Sequence, residues 1–345
     1  MKKYTTIRNR AGTISYLIDN KAFLVFLLLF ILSLLLFVAG LSVGSTMINP
    51  LLVIQQLLGM GNGEHAFVIE TLRLPRMILS LLAGISLGVS GLILQGIVRN
   101  PLASPDIIGI TGGASAAAVL YITFFSELSI KWIPFVALIG AGIVSLMIYM
   151  LAWKKGVTPI RLVLIGIGIQ ASMGALVTMM IVLSPSYSTS EAYIWMTGSV
   201  YGANWNHVKS MLPWIIIFVP LSLLLSRKVD VQELGDDLAL GLGSKVQTNR
   251  FVLLFVSVAL AGSAVAFVGG IGFVGLIAPH IARKLVGRSF SSLVPVSALI
   301  GGMIVCLADV VARTAFLPSD LPAGVFVSGI GAPFFIYLLY RNRHN

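Results

Sequence analysis

The stretch that decides the fold begins with Arg73-Leu74-Pro75-Arg76 and ends with Arg99-Asn100-Pro101-Leu102-Ala103-Ser104-Pro105. Between these motifs lies an apolar run broken only by glycine, serine and Gln95. Its length corresponds to roughly 35 Å of helix, which is enough to cross a hydrocarbon core about 30 Å thick. One membrane-spanning helix therefore has a basic, proline-containing motif at each end. Because an apolar helix needs neither motif to insert, we interpret both ends as contact sites.

The composition extends this reading to the whole chain. Of its 345 residues, 57% are hydrophobic and only 10% are charged, whereas about 25% of the residues of a soluble domain are charged. We therefore expect an all-α polytopic membrane protein with a single transmembrane domain over residues 1–345. The apolar runs predict ten helices, at residues 22–43, 74–97, 107–123, 132–152, 160–183, 207–226, 248–268, 273–285, 293–313 and 322–340. The eighth is too short to cross a bilayer alone, and residues 190–200 are a candidate for a further partial helix.

The distribution of basic residues predicts the orientation. One side of the bundle receives 18 of the 23 Lys and Arg residues, and an excess of these residues in short loops marks the cytoplasmic side. We therefore expect both termini, the N-terminal segment 1–21 and the loop 227–250 in the cytoplasm. The net charge of +11 describes this topology. It does not indicate nucleic-acid binding, because no basic stripe with interleaved aromatic residues is present.

The longest polar interruption, residues 227–250, carries an apolar pattern of its own. Leu234, Leu238 and Leu242 recur every four residues, which predicts one or two short helices with an apolar face that has no lipid to contact. A loop of this length in a compact protein is usually functional or disordered. We favour docking of a partner protein, with a loop packed against its own bundle as the alternative.

Several chemistries have no counterpart in the sequence. There is no P-loop motif, so the chain cannot bind and hydrolyse a nucleotide by that route. The four histidines lack metal-ligand spacing, and no intramembrane carboxylate pair occurs. These absences argue against an enzyme acting on lipid-linked substrates. We predict no catalytic residue, no metal site and no cofactor, and we expect the energy for any transport to come from a partner.

Asp309 is the one acidic residue deep inside a predicted span. A charge at that depth is expensive and is a functional hypothesis by default. Arg313 follows four residues later, so both side chains share one helix face and we expect them to pair. A proton-coupled secondary transporter would need more such carboxylates, which makes it the weaker alternative.

A weak internal echo relates two parts of the chain. Residues 74–105 and 250–283 each run from a glycine-interrupted helix through a proline-containing break into a short helix. Inverted repeats of this kind recur in transporters, and we expect them here.

Short segments along nearly the whole chain resemble motifs of one family, the permease subunits of bacterial ABC importers for iron-siderophores, haem and vitamin B12. The segments are Arg73-Leu74-Pro75-Arg76, Ser90-Gly91 with Gln95, Arg99-Asn100-Pro101-Leu102-Ala103 with Pro105, Leu234-Gly235-Asp236-Asp237, Gly272-Phe273-Val274-Gly275-Leu276, Pro279-His280-Ile281 with Arg283, Ala308-Asp309 with Ala312-Arg313, Leu321-Pro322 with Gly324, and Gly331-Ala332-Pro333-Phe334-Phe335. The resemblance implies the ten-helix bundle of the vitamin B12 importer permease.

The resemblance also implies three sites. Outward-facing arginines receive acidic residues of an extracellular solute-binding protein, and these positions are Arg73, Arg76 and Arg313. Planar guanidinium groups suit that role because they bind carboxylates in bidentate fashion. The segment that couples to the ATPase matches Leu234, Gly235, Asp236, Asp237, Leu238 and Gly241. The cytoplasmic gate of the pathway matches Asn100, Leu102 and Thr158, although Pro159 departs from the small polar residue that related permeases often have there.

Family resemblance further implies the assembly and its cargo. The expected partners are a second permease chain, identical or paralogous, two cytoplasmic ATPase subunits and an extracellular binding protein, in the lipid of a bacterial cell membrane. A ferric siderophore is the expected substrate, and haem or cobalamin is the alternative.

Overall fold

Helices make up most of the computed structural model, which describes residues 4–8, 15–125 and 129–341. In chain order the described α-helices are α1 (Asn20–Ser42), α2 (Pro50–Leu57), α3 (Leu74–Val98), α4 (Ile110–Phe124), α5 (Ile133–Ala152), α6 (Pro159–Leu183), α7 (Ser186–Thr197), α8 (Trp205–Leu224), α9 (Ser226–Glu233), α10 (Asp236–Gly241), α11 (Val246–Val268), α12 (Val274–Val286), α13 (Phe290–Thr314) and α14 (Ala323–Arg341). A π-helical segment, Phe67–Arg73, leads directly into α3. Two short 3-10 helices, Pro105–Ile108 and Ile130–Trp132, precede α4 and α5.

Ten of these helices lie where the apolar runs predicted them. The largest boundary differences are at α4, predicted from residue 107 and observed from Ile110, and at α13, predicted from 293 and observed from Phe290. Eight candidate spans in the described part of the chain are long and apolar enough to cross a membrane. With 13 residues, α12 is about 20 Å long, too short to cross alone. The all-α, multi-pass fold class is confirmed.

The sequence pattern did not predict a small β-hairpin before α1. Strands β1 (Tyr4–Arg8) and β2 (Ser15–Asp19) pair antiparallel, with Tyr4 opposite Asp19. Asp19 then caps α1, because its side chain accepts a hydrogen bond from the backbone N–H of Lys21 at 2.9 Å. Such a cap satisfies one of the free N–H groups of a helix start. Residues 1–3 and 9–14 of the predicted segment 1–21 lie outside the described residues.

Helix α3 lies at the centre of the bundle, buried against α11, α12 and α13. Small residues allow this, since Gly91 faces the backbone of Gly275 too closely to accommodate a Cβ. Ser90 and Ser257 share a hydrogen bond of 2.8 Å between their hydroxyl oxygens. Close backbone approach and inter-helix hydrogen bonds are the usual means of joining helices in lipid.

The two segments of the predicted repeat both show a helix, a break and a short helix. The first is α3, residues 99–104 and Pro105–Ile108, and the second is α11, residues 269–273 and α12. Their relation by inverted symmetry stays a prediction.

Helix α3 gives the bundle two ends that serve as reference points. Its 25 residues span about 37 Å, so Arg76 and Arg99 lie at opposite ends. The Arg76 end also holds the last turns of α1 and α13, and the Asp236 end holds Arg99, α9 and α10.

Candidate functional site

Arg76 lies between two carboxylates that come from distant parts of the chain. Its guanidinium group is 2.8 Å from Asp309 Oδ1 and donates to both oxygens of Asp320, at 2.5 and 2.8 Å. The Arg76 side chain is 11% exposed and that of Asp320 is 25% exposed, whereas Asp309 is fully buried. The ring of Tyr201 lies 5.9 Å from the guanidinium carbon. Asp309 therefore binds the Arg76 guanidinium group on its buried side, and Asp320 binds it on the side nearer the surface.

Arg73 is buried and contacts backbone carbonyls. It donates to the carbonyl oxygens of Leu41 and Thr46, at 2.7 Å each, and to that of Ser42 at 3.1 Å. These groups belong to the end of α1 and the loop after it, where carbonyls have no partner within the helix. The arginine therefore satisfies the end of α1.

Arg313 is also buried and contacts the same end of α1. It donates to the carbonyl oxygen of Gly40, one residue from those that Arg73 holds. Its Nε lies 3.7 Å from Asp309 Oδ2, so the expected pair is present, but Arg76 is the nearer partner of Asp309. The structure thus brings the three predicted docking arginines together around the end of α1. Arg76 is the most exposed of the three, although at 11% it is only slightly more exposed than Arg313 at 8%.

The predicted coupling segment forms two short helices and exposes its leucines. Gly235, with a φ of 110°, separates α9 from α10. Four leucines on this segment are between 56% and 66% exposed: Leu234, Leu238, Leu240 and Leu242. Asp237 and Gly241 are exposed as well. The break at Gly235 explains why the leucines do not form one continuous helical stripe, since positive φ ends a helix and favours glycine.

Asp236 differs from its neighbours on α10 because it has partners in two other elements. Its carboxylate accepts from Arg250 Nη2 at 2.8 and 3.0 Å and lies 3.4 Å from Arg99 Nη2. Arg250 belongs to α11, and Arg99 is the residue that ends α3.

The predicted gate residues lie around one cleft at the Asp236 end. The cleft has a volume of about 370 Å³ and lies between residues 98–101 and the start of α6. Asn100 lines it, and its side chain accepts a hydrogen bond of 2.9 Å from the N–H of Leu102. Thr158 stands just before α6 and accepts from Arg161 Nε at 3.0 Å. Leu102 and Thr158 support the two edges of the cleft and do not line it.

A second carboxylate of this end, Asp230 on α9, is half-buried against α13. It accepts a hydrogen bond of 3.1 Å from the backbone N–H of Phe290, the first residue of that helix. Burial raises the pKa of Asp230 above its ordinary value, and the Phe290 hydrogen bond opposes the shift. This contact fixes α9 to the start of α13.

Sequence reasoning missed three of the residues that complete these sites. Asp320 and Arg99 form ion pairs with residues far away in the chain, and Arg250 pairs with Asp236 on another helix, 14 residues earlier. The sequence signal for Arg99 was present in the basic break after α3. For Asp320 and Arg250 no local spacing indicates the partner.

These observations define a class of protein before any comparison: a multi-pass helical membrane protein with a cluster of ion pairs at each end of the bundle.

Comparison with known proteins agrees with this class. The model of the FecCD transport family matches residues 28–341. The chain is 50% identical over 315 residues to the achromobactin transport system permease protein CbrC of Dickeya dadantii, covering 91% of this chain and 90% of the other. It is 45% identical over 329 residues to the iron(3+)-hydroxamate import system permease protein FhuG of Bacillus subtilis, covering 93% and 98%. A solved ABC transporter classed as metal-chelate type, in an inward-facing conformation, matches with a TM-score of 0.81 at 30% identity, over 92% and 99%.

The chain belongs to the FecCD transport family. It is a membrane permease subunit of the ABC importer class and not an enzyme, as the sequence predicted.

Proposed function

We propose that this chain is the permease of an ATP-driven importer for ferric siderophores. In the proposed assembly two permease chains, identical or paralogous, pair with two cytoplasmic ATPase subunits and an extracellular binding protein in a bacterial cell membrane. Both termini and residues 227–250 lie in the cytoplasm, and the Arg76 end faces outward. The permease domain comprises residues 1–345.

The observation that carries the proposal is the exposed leucine face on residues 234–242. A leucine side chain that moves from water into an interface contributes about 1.5 to 3 kcal/mol, so four of them form a strong docking surface. The surrounding helices are short and charged, which is unsuited to lipid contact. Because the chain carries no P-loop, an ATPase subunit is the partner that the transport class requires.

The Arg76 end supports docking of a binding protein through acidic side chains. Arg73, Arg76 and Arg313 outnumber the two carboxylates among them, Asp309 and Asp320. Arg76 makes the first contact in this proposal, because its outer partner Asp320 is itself partly exposed and can be replaced by a carboxylate of the binding protein. Arg73 and Arg313 fix the end of α1 beneath it.

The experiment for the coupling surface is co-purification of the ATPase subunit with tagged permease. Leu238→Asp places a charge in the proposed interface, and we expect at least about a tenfold loss of bound ATPase, as for a central interface residue. Leu58→Asp is the matched control, because Leu58 has a similar exposure of 66% and follows α2, which contacts α1. Equal binding by wild type and Leu238→Asp would overturn this assignment.

The docking site is tested by binding of the purified solute-binding protein to the permease complex. Asp320→Asn removes the carboxylate that covers Arg76 while Asp309 keeps the arginine in place. We expect tighter binding that weakens with salt, because exposed charges are screened. Weaker or unchanged binding would show that Arg76 is not the contact.

Substrate identity rests on relatives named for siderophore, iron(3+)-hydroxamate and Fe(3+)-citrate transport. Uptake in cells that lack their own iron importers, measured with a panel of radiolabelled ferric siderophores, haem and cobalamin, decides between the substrates. Uptake of haem or cobalamin alone would replace the siderophore in the proposal.

A further inference from the structure

We propose that Asp236 is a positioning residue that joins the ATPase-facing segment to both edges of the gate cleft. The inference rests on the proposed function, since it assumes that an ATPase subunit moves α10. It assigns to one carboxylate the mechanical connection between that helix, the break after α3 and the start of α6.

The first arm runs from Asp236 through Arg250 to the start of α6. Arg250 Nη2 donates to both oxygens of Asp236, and its Nη1 donates to the carbonyl oxygen of Val157. Gln247, one turn earlier on α11, makes two hydrogen bonds to the backbone of Val157. Its side chain accepts from the Val157 N–H at 2.9 Å and donates to the Val157 carbonyl oxygen at 3.3 Å. Val157 directly precedes Thr158, after which α6 begins and forms one edge of the cleft.

The second arm runs from Asp236 to the break after α3. Arg99 lies 3.4 Å from Asp236 and has a left-handed backbone, with φ 57°. It ends α3, and it lines the cleft together with Asn100 and Pro101. Gly235 approaches the same guanidinium group, since a Cβ at this position would lie 3.3 Å from Arg99 Nη1. Two consecutive residues of the segment therefore contact one edge of the cleft directly, and Asp236 reaches the other edge through Arg250.

Burial makes the Asp236–Arg250 ion pair of the first arm costly to separate. The Arg250 side chain is 1% exposed, and among the described residues Asp236 is the only carboxylate paired with it. Separating a buried charge from its partner is strongly unfavourable. A displacement of α10 must therefore either carry Arg250 and the start of α6 with it or leave that charge unpaired. The second arm is more exposed, at 34% for Arg99, and so is weaker.

This geometry predicts how movement of the ATPase-facing segment reaches the cleft. When α10 shifts, Asp236 moves Arg250 and Val157 at one edge and Arg99 at the other. The two edges then change their separation together, because one carboxylate holds both.

The test uses the complete transporter, purified with its ATPase subunits and reconstituted in vesicles with the binding protein. Three quantities are measured for each variant: co-purified ATPase, ATP hydrolysis, and substrate transported per ATP. For Asp236→Asn we expect retained co-purification and hydrolysis but about a tenfold fall in transport per ATP, within the usual range of coupling between sites. Asp236→Glu keeps the charge and should recover most of the coupling. Glu64→Gln is the matched control at the Arg76 end.

A second variant keeps the inference testable if Asp236→Asn does not fold. Arg99→Gln breaks only the exposed arm and leaves the ion pair of buried Arg250 intact, so it should fold normally and lower transport per ATP by a smaller factor. Spin labels at Pro101 and Ile160, in a Cys306→Ser background, report the width of the cleft. The ATP-driven change in their distance should shrink in Asp236→Asn.

The outcomes separate this inference from the proposed function. Failure of the wild-type chain to bind an ATPase would end the proposed function. Normal ATPase binding with unchanged transport per ATP in both Asp236→Asn and Arg99→Gln would overturn only the inference.

Discussion

Removal of the Arg76 guanidinium group should destabilise the chain strongly. In Arg76→Met the fully buried Asp309 keeps only Arg313, whose Nε is 3.7 Å away. Breaking a buried ion pair from one side costs about 3 to 5 kcal/mol, and we take about 3 kcal/mol because Arg313 remains nearby. At about 2 °C per kcal/mol for a chain of this size, the Tm should fall by about 6 °C. Thermal unfolding of the purified chain in detergent measures the shift.

Two further variants test whether the unpaired charge of Asp309 causes the fall in Tm. Arg76→Met combined with Asp309→Asn removes the unpaired charge, so most of the lost Tm should return, since a buried pair often contributes little net stability. Lys209→Met removes an exposed cation on α8 and should change the Tm by about 1 °C or less. Equal Tm values for the single and double variants, or a Tm of Arg76→Met that matches that of the control, would show that an unpaired Asp309 charge is not the cause.

Two more predictions concern packing and pH. Gly91→Ala should lower the Tm by about 2 to 6 °C, because the new Cβ would collide with the backbone of Gly275 and overpacking costs about 1 to 3 kcal/mol. Gly174→Ala is the control, since a Cβ at that position would have no atom within 4 Å. An equal fall of Tm in both variants would contradict the packing argument. Folding raises the pKa of Asp230 above its ordinary value of 3.8, so the folded chain binds the Asp230 proton more tightly than the unfolded chain does. The contribution of Asp230 to the free energy of unfolding therefore falls as the pH rises from 3.8 through the raised pKa. Asp230→Asn, which keeps an acceptor for Phe290, should therefore flatten the decline of Tm above about pH 4, and an unchanged slope would count against it.

The fold was largely predictable because its main signal is local. Apolar runs long enough to cross a bilayer predicted ten helices, and the break at residues 99–105 appeared where a proline-containing motif ended α3. The same reasoning predicted one or two short helices in the loop 227–250, where α9 and α10 are observed. It did not predict α2 or the β-hairpin, because neither has the length or the periodicity that distinguishes a spanning helix.

The partners of the charged residues were less predictable because they are separated by long stretches of chain. Spacing paired Asp309 with Arg313 on one helix face, and that pair exists, but Arg76 is closer although it lies on α3. In the same way, nothing near Arg73 indicates that it holds carbonyls at the end of α1. Such contacts depend on how helices pack, and helix packing is not visible in one sequence.

We propose that this chain forms the pathway of an ATP-driven siderophore importer. Uptake of a radiolabelled ferric siderophore can be measured in vesicles that contain the purified permease with its ATPase subunits, with binding protein and ATP on the appropriate sides. Uptake is expected only when the permease, the ATPase, the binding protein and ATP are all present. Uptake by the permease alone under an ion gradient, without ATPase or ATP, would contradict it.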